Sequence, residues 1–158
     1  RRVARVERIP KMRQRSINRT RAAIDYCSEQ FSRLAYEAVQ EEFHLVTLDT
    51  KHKPINRHRI TVGTLDASLV HPREVFRAAI RDAASAVILV HNHPSGDPSP
   101  SQEDIMVTQQ LTEAGTILGI AVLDHIVVAS DHSISIREKS MDQEKFKNNS
   151  SLKLVNVQ

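Results

Sequence analysis

Two histidines, His91 and His93, stand two positions apart at the end of an apolar run. In extended backbone, residues two apart project from the same side of the chain, so both imidazoles can converge on one point. Ser101 comes eight residues after His93 and Asp104 three after that, so a loop followed by the first turn of a helix can bring a carboxylate back to the two rings. Two His and one carboxylate make a catalytic kind of zinc site: three protein ligands leave the fourth tetrahedral position to water, whereas structural zinc normally takes four ligands rich in Cys. Cys27 is the only cysteine in the chain, so a Cys-rich site cannot be assembled. Ser101 and Asp104 also spell an ordinary capping box, Ser at the cap and an acid at the third helical position. The two roles are compatible: Asp104 in a first turn can ligate, while the Ser101 hydroxyl can face the site and donate to an oxyanion.

The elements that would carry these residues follow from periodicity. Ala86 to Val90 is an unbroken apolar run ending at His91, which predicts a central strand buried on both faces that delivers His91 to the sheet edge. Residues 94–100, Pro-Ser-Gly-Asp-Pro-Ser-Pro, are turn formers and predict a loop at that strand's carboxyl end. A helix is predicted from Ser101 to about Ala114, with Ile105, Thr108 and Leu111 on its inner side. Upstream, Ile24, Cys27, Phe31, Leu34, Ala35 and Ala38 recur at helical spacing and predict one helix between Thr20 and Gln40, with Cys27 buried. Strands are predicted at Phe43–Leu48 and Ile60–Val62, joined by a loop through Lys51 to Asn56 and ended by Gly63. Pro72 suits the first position of a helix whose buried stripe is Val75, Phe76, Ala79, Ile80 and Ala83. Final strands are predicted at Ile120–Val128 and Ser133–Ile136. Alternating strands and helices predict an α/β class, a mixed sheet flanked by helices.

The chain's 158 residues suit one domain, and 40% hydrophobic with 26% charged residues suits a globular one. Aromatic content is 4% without Trp, so the core must be Val, Ile, Leu and Ala. No apolar run approaches the roughly 20 residues of a membrane helix, which predicts no membrane partner. A lone Cys permits no intramolecular disulfide, and the protein is read as cytoplasmic. Cations crowd the start: Arg1, Arg2, Arg5, Arg8, Lys11, Arg13, Arg15, Arg19 and Arg21 face only Glu7. Residues 1–19 are therefore read as a basic arm, either a solvated tail or a segment that neutralises nucleic-acid phosphates. Residues 20–140 are read as the domain and 141–158 as a polar tail. The opening residue is Arg rather than Met, as in a fragment of something longer.

The run His91-Asn-His93-Pro-Ser-Gly-Asp-Pro-Ser-Pro-Ser101-Gln-Glu-Asp104 resembles the JAMM metalloprotease motif, H-x-H, seven residues, S-x-x-D. Further segments, E-x-F followed by L-D, V-G-T-L, H-P-R-E-V-F, H-N-H-P-S-G and V-L-D-H, are similar to the RadC family of JAMM-domain proteins over roughly Arg33 to Arg137. The resemblance implies a JAMM/MPN fold related to the cytidine-deaminase-like architecture. It also implies one zinc ion per chain held by His91, His93 and Asp104, and a peptidase or isopeptidase acting on a peptide or protein substrate. It implies an upstream glutamate on an early strand that works on water, in the register of Glu41 rather than Glu42, and an oxyanion donor at Ser101. Asp124 and His125 match the L-D-H segment and are either partners that orient a ligand histidine or a structural pair at a strand end. A DNA-associated module is the competing function, since RadC-like proteins carry a DNA-repair label and this chain has the basic arm. A deaminase is disfavoured because the P-C-x-x-C ligands of that class are missing. His44, His52, His58, His71 and His132 lack partners at ligand spacing.

Overall fold

The computed structural model describes residues 5–9 and 15–141. The elements run β1 (Arg5–Arg8), α1 (Thr20–Gln30), α2 (Ser32–Tyr36), β2 (Glu42–Leu48), β3 (Pro54–Val62), α3 (Pro72–Arg81), β4 (Ala86–Asn92), α4 (Gln102–Leu118), β5 (Ala121–Val128) and β6 (Ile134–Ser135). They form one six-stranded mixed sheet in the order β1-β3-β2-β4-β5-β6. The β4–β5 pair is parallel and the other pairs are antiparallel. Residues 136 to 141 are helical.

Side-chain alternation divides the core between the two faces of the sheet. On one, Ala23, Cys27, Phe31 and Leu34 of the N-terminal helical segment pack against Val46, Leu48, Ile88, Val90, Ile126 and Val128. On the other, Val75, Phe76 and Ala79 of α3 and Val107 and Leu111 of α4 pack against Phe43, Leu45, Val87 and Leu89. β4, central in the sheet, is buried along its whole length. Each of its Val, Ile or Leu side chains withdrawn from water contributes about 1.5–3 kcal/mol. The period of two in β4 and β5 fixes which residues can meet: His91 and His125 face α4, while Asn92 and Asp124 face away.

Five sequence expectations are revised. Of the stripe expected to be buried on α3, Ile80 is exposed, and Ala83 is exposed too because the helix ends at Arg81. The helix from Thr20 to Gln40 is two helices, broken at Phe31, where φ is −114° and ψ is 26°. The break seats Phe31 edge-on against His44, ring centres 5.2 Å apart. The strand expected at Ile60–Val62 begins at Pro54. Its polar stretch hides the apolar alternation because its charges have partners: Arg57 bonds Glu7 and Tyr26, and His58 meets Asp82 at 2.6 Å. The turn before it is short, with Asp49 accepting from the backbone N–H of both Lys51 and Lys53. The helix expected to end near Ala114 continues to Leu118, where Gly119 closes it with a φ of 72°. The last strand is two residues long, Ile134–Ser135, because Ile136 already enters the helical stretch.

Of the basic arm, Arg5–Arg8 form a strand on β3 and Ile17 is buried in the core. Arg1, Arg2, Lys11 and Arg13 lie outside the described residues, as does the polar tail beyond Met141. No helix among the described residues is long and apolar enough to cross a membrane.

Candidate metal centre

β4 carries His91 as its penultimate residue, and His93 follows one residue past the strand's end. The chain then turns through the Pro-rich loop and enters α4 with Ser101 as N-cap. The Ser101 hydroxyl accepts from the Asp104 N–H at 3.1 Å, and the Asp104 carboxylate accepts from the Ser101 N–H at 2.8 Å. The capping box thus also aims a carboxylate at the histidines. Asp104 Oδ1 lies 2.9 Å from His91 Nε2 and Oδ2 lies 3.0 Å from His93 Nε2. The two Nε2 atoms are themselves 3.0 Å apart. Among the described residues, His91, His93 and Asp104 are the group of His, Cys, Asp or Glu side chains arranged to hold a metal ion.

The donor chemistry fits a cation. His93 Nδ1 is 2.9 Å from the Asp97 carbonyl, which can only accept, so Nδ1 carries the proton and a neutral His93 offers a bare Nε2. That lone pair faces a buried carboxylate. Burial pushes the proton affinity of His93 down, but Asp104, the Asp97 carbonyl and the charge of Glu41 together raise it above the ordinary histidine value. Burial likewise pushes Asp104 up, yet hydrogen bonds with His91 and His93 hold its carboxyl well below the usual carboxylate range. Negative charge is therefore retained where a positive ion would sit. A tetrahedral zinc with bonds of about 2.0–2.1 Å sets neighbouring donors roughly 3.3 Å apart, close to the 2.9–3.0 Å at which the two rings meet each other and each meets its own oxygen of Asp104.

The two glutamates point opposite ways. Glu42 is buried with Arg33, which forks onto both its oxygens at 3.0 and 3.2 Å, and with His44 at 3.0 Å. This cluster lies on the side of the N-terminal helices. Glu41, one residue before β2, accepts from the Leu65 N–H at 2.7 Å and is close enough for its charge to act on His93. Its flanking peptides are held by Asn92, which lies between the two histidines and is fully buried. Asn92 Oδ1 accepts from the Glu42 N–H at 2.8 Å, and its amide donates to the Gln40 carbonyl at 3.0 Å and to the Leu34 carbonyl at 3.2 Å.

His125 and Asp124 separate as well. His125, buried on β5, places Nε2 2.8 Å from His91 Nδ1, and its Nδ1 is 2.7 Å from the Thr108 hydroxyl. Asp124 accepts from Ser135 and from its neighbour's N–H on the other side of the strand. The contacts of Asn92 and Thr108 with this centre were not anticipated from the sequence. Thr108 lies four residues after Asp104 on one helix face, a spacing that could have flagged it; Asn92 gave no such signal. His44 and His58 are satisfied by Glu42 and Asp82.

A three-layer α/β domain with a His-His-carboxylate cluster at the carboxyl end of a central strand defines a class of possible metal-binding domains. The chain belongs to the RadC-like JAB domain family, whose profile matches residues 17–141. It is 57% identical over 102 residues to a UPF0758 protein of Alkaliphilus metalliredigens, covering 65% of this chain and 44% of that one. It is 55% identical over 100 residues to a UPF0758 protein of Listeria welshimeri, covering 63% and 45%, and 48% identical over 103 residues to one from Methanosarcina mazei, covering 65% and 45%. The chain thus matches just under half the length of these curated relatives, and their shared designation names no activity.

Proposed function

We propose that this domain is a zinc-dependent hydrolase of peptide or isopeptide bonds. The observation that carries it is the convergence of His91 Nε2, His93 Nε2 and the Asp104 carboxylate within 3.0 Å, a three-donor set that leaves a fourth position open. His91, His93 and Asp104 would hold the ion. When bound, zinc supplies a Lewis acid for a carbonyl and lowers the pKa of water toward about 7.

The remaining steps belong to the chain. Glu41 takes a proton from the attacking water and returns it to the leaving amine. Leu65 N–H anchors one oxygen of this carboxylate, leaving the other for the proton. Asn92 fixes the peptides on either side of it. The Ser101 hydroxyl already accepts from Asp104 N–H, so its own proton is available to an oxyanion developing on the substrate.

The test is zinc content by elemental analysis, followed by a peptide and isopeptide hydrolysis screen on wild type, a His91→Ala, His93→Ala double variant and Glu41→Ala. About one zinc per chain in wild type and Glu41→Ala, none in the double variant, and hydrolysis in wild type alone are expected. Glu41→Ala should cost on the order of 10²- to 10⁴-fold in rate. A wild-type chain that takes up no supplied zinc would refute the assignment.

A further inference from the structure

We propose that Thr108 and His125 are positioning residues that fix the tautomer of His91, so that its Nε2 is presented bare to the metal. This rests on the zinc site proposed above. The direction of every hydrogen bond in the chain follows from its far end. Thr108 Oγ1 lies 2.7 Å from the Asp104 carbonyl oxygen, one helical turn back, and donates to it. A carbonyl can only accept, so the single hydroxyl proton is spent there and the oxygen is left as an acceptor.

The next contact is His125 Nδ1, 2.7 Å from that oxygen. His125 must donate, which puts its proton on Nδ1. The ring nitrogens of the fully buried His125 meet a hydroxyl and another imidazole rather than a carboxylate, and burying a charge without a counter-ion is costly. The ring is therefore neutral and carries one proton, leaving Nε2 as an acceptor. His91 Nδ1, 2.8 Å away, donates to it. His91 is left with its lone pair on Nε2, the atom that faces Asp104 Oδ1 and His93 Nε2.

The device is closed on itself. Its far end is the main-chain carbonyl of Asp104, whose side chain is the third ligand, so one residue anchors the site at both ends. Both rings are fully buried, which keeps water from supplying an alternative partner, and in the interior an unmet ring nitrogen is costly. His93 reaches the same state by a different route, through the Asp97 carbonyl. A ligand histidine whose second nitrogen is held this way typically loses 10- to 100-fold in metal affinity when the holding group is removed.

The test combines ring-nitrogen NMR of histidine-labelled protein with zinc affinity by competition against a chelator, for wild type, Thr108→Val and Thr108→Ser. Zinc-loaded wild type should show His125 protonated at Nδ1. Thr108→Val, similar in shape but without the hydroxyl, should lose on the order of tenfold in zinc affinity, and Thr108→Ser should restore it. Detection of His125 protonated at Nε2 in the zinc-loaded protein would overturn the proposal, and so would a Thr108→Val affinity within twofold of wild type. If Thr108→Val does not fold, the wild-type tautomer still decides. Zinc uptake with the wrong tautomer sinks this inference alone, whereas no uptake sinks the hydrolase assignment as well.

Discussion

Replacing Asn92 by Asp would separate the holding of the metal from the holding of the proposed base. The substitution keeps the oxygen that accepts from Glu42 N–H but removes the amide that donates to the Leu34 and Gln40 carbonyls. A carboxylate would then face two carbonyl oxygens in a site with no solvent access. Protonating it restores one donor at most, at the cost of a raised pKa. One to two lost bonds, each leaving a buried acceptor at about 1–3 kcal/mol, give a loss of about 1–6 kcal/mol. With a urea slope of about 1–3 kcal/mol per molar, a loss in the middle of that range moves the unfolding midpoint by more than about 1 M. The assay is urea unfolding with metal chelated, beside zinc content of the folded protein. Zinc stoichiometry should hold, because His91, His93 and Asp104 keep their contacts, while hydrolysis falls as the peptides flanking Glu41 are released. A stability loss below about 1 kcal/mol would refute the clamp.

Two further outcomes are expected. Burial depresses His44 from 6.5 to about 4, so the unfolded chain takes up a proton that the folded chain resists. His44 therefore weakens the fold progressively as pH falls from about 6.5 toward 4, by at most about 3 kcal/mol, and chelated His44→Gln should show a shallower decline than wild type in urea midpoints between pH 7 and 4.5. Parallel declines would contradict this. Gly115→Ala offers up to about 1 kcal/mol of helix propensity, but its Cβ would approach the Ile120 carbonyl oxygen and stand 3.2 Å from Phe76. Backbone cannot yield as a flexible side chain can, so a net loss of about 1–3 kcal/mol is expected, read as a fall in thermal midpoint; a rise would show that the sheet edge accommodates it.

The candidate ligands were legible because each is a local pattern. His91 and His93 share a strand period, and Ser101 with Asp104 is a helix start whatever else it does. The parallel core strand was equally plain, since Ala86 to Val90 offers no polar alternative. Pairing across the sheet left less trace. β1 is four residues, three of them charged, and becomes a strand only through the partner edge of β3. The Thr108–His125 contact joins a helix to a strand, and Asn92 reaches α2 and the turn before β2 from between two histidines, so neither is written in any single stretch. Glu41 and Glu42 are adjacent, and only the pleat and the position of Arg33 send them to opposite sides.

The separation of these groups along the chain has a consequence for how the centre is assembled. His91 and Asp104, with His93 between them, are 13 residues apart in sequence, whereas the Asn92 link to Glu42 spans 50. By the logarithmic cost of loop closure, the longer link is about 1 kcal/mol harder to make for a flexible chain, and it also requires β2 to have docked on β4. A chain that has closed the short loop but not yet joined these strands would have the three candidate ligands together without the proposed base. During synthesis or thermal stress, occupancy by metal and the proposed competence for hydrolysis would therefore be separate milestones.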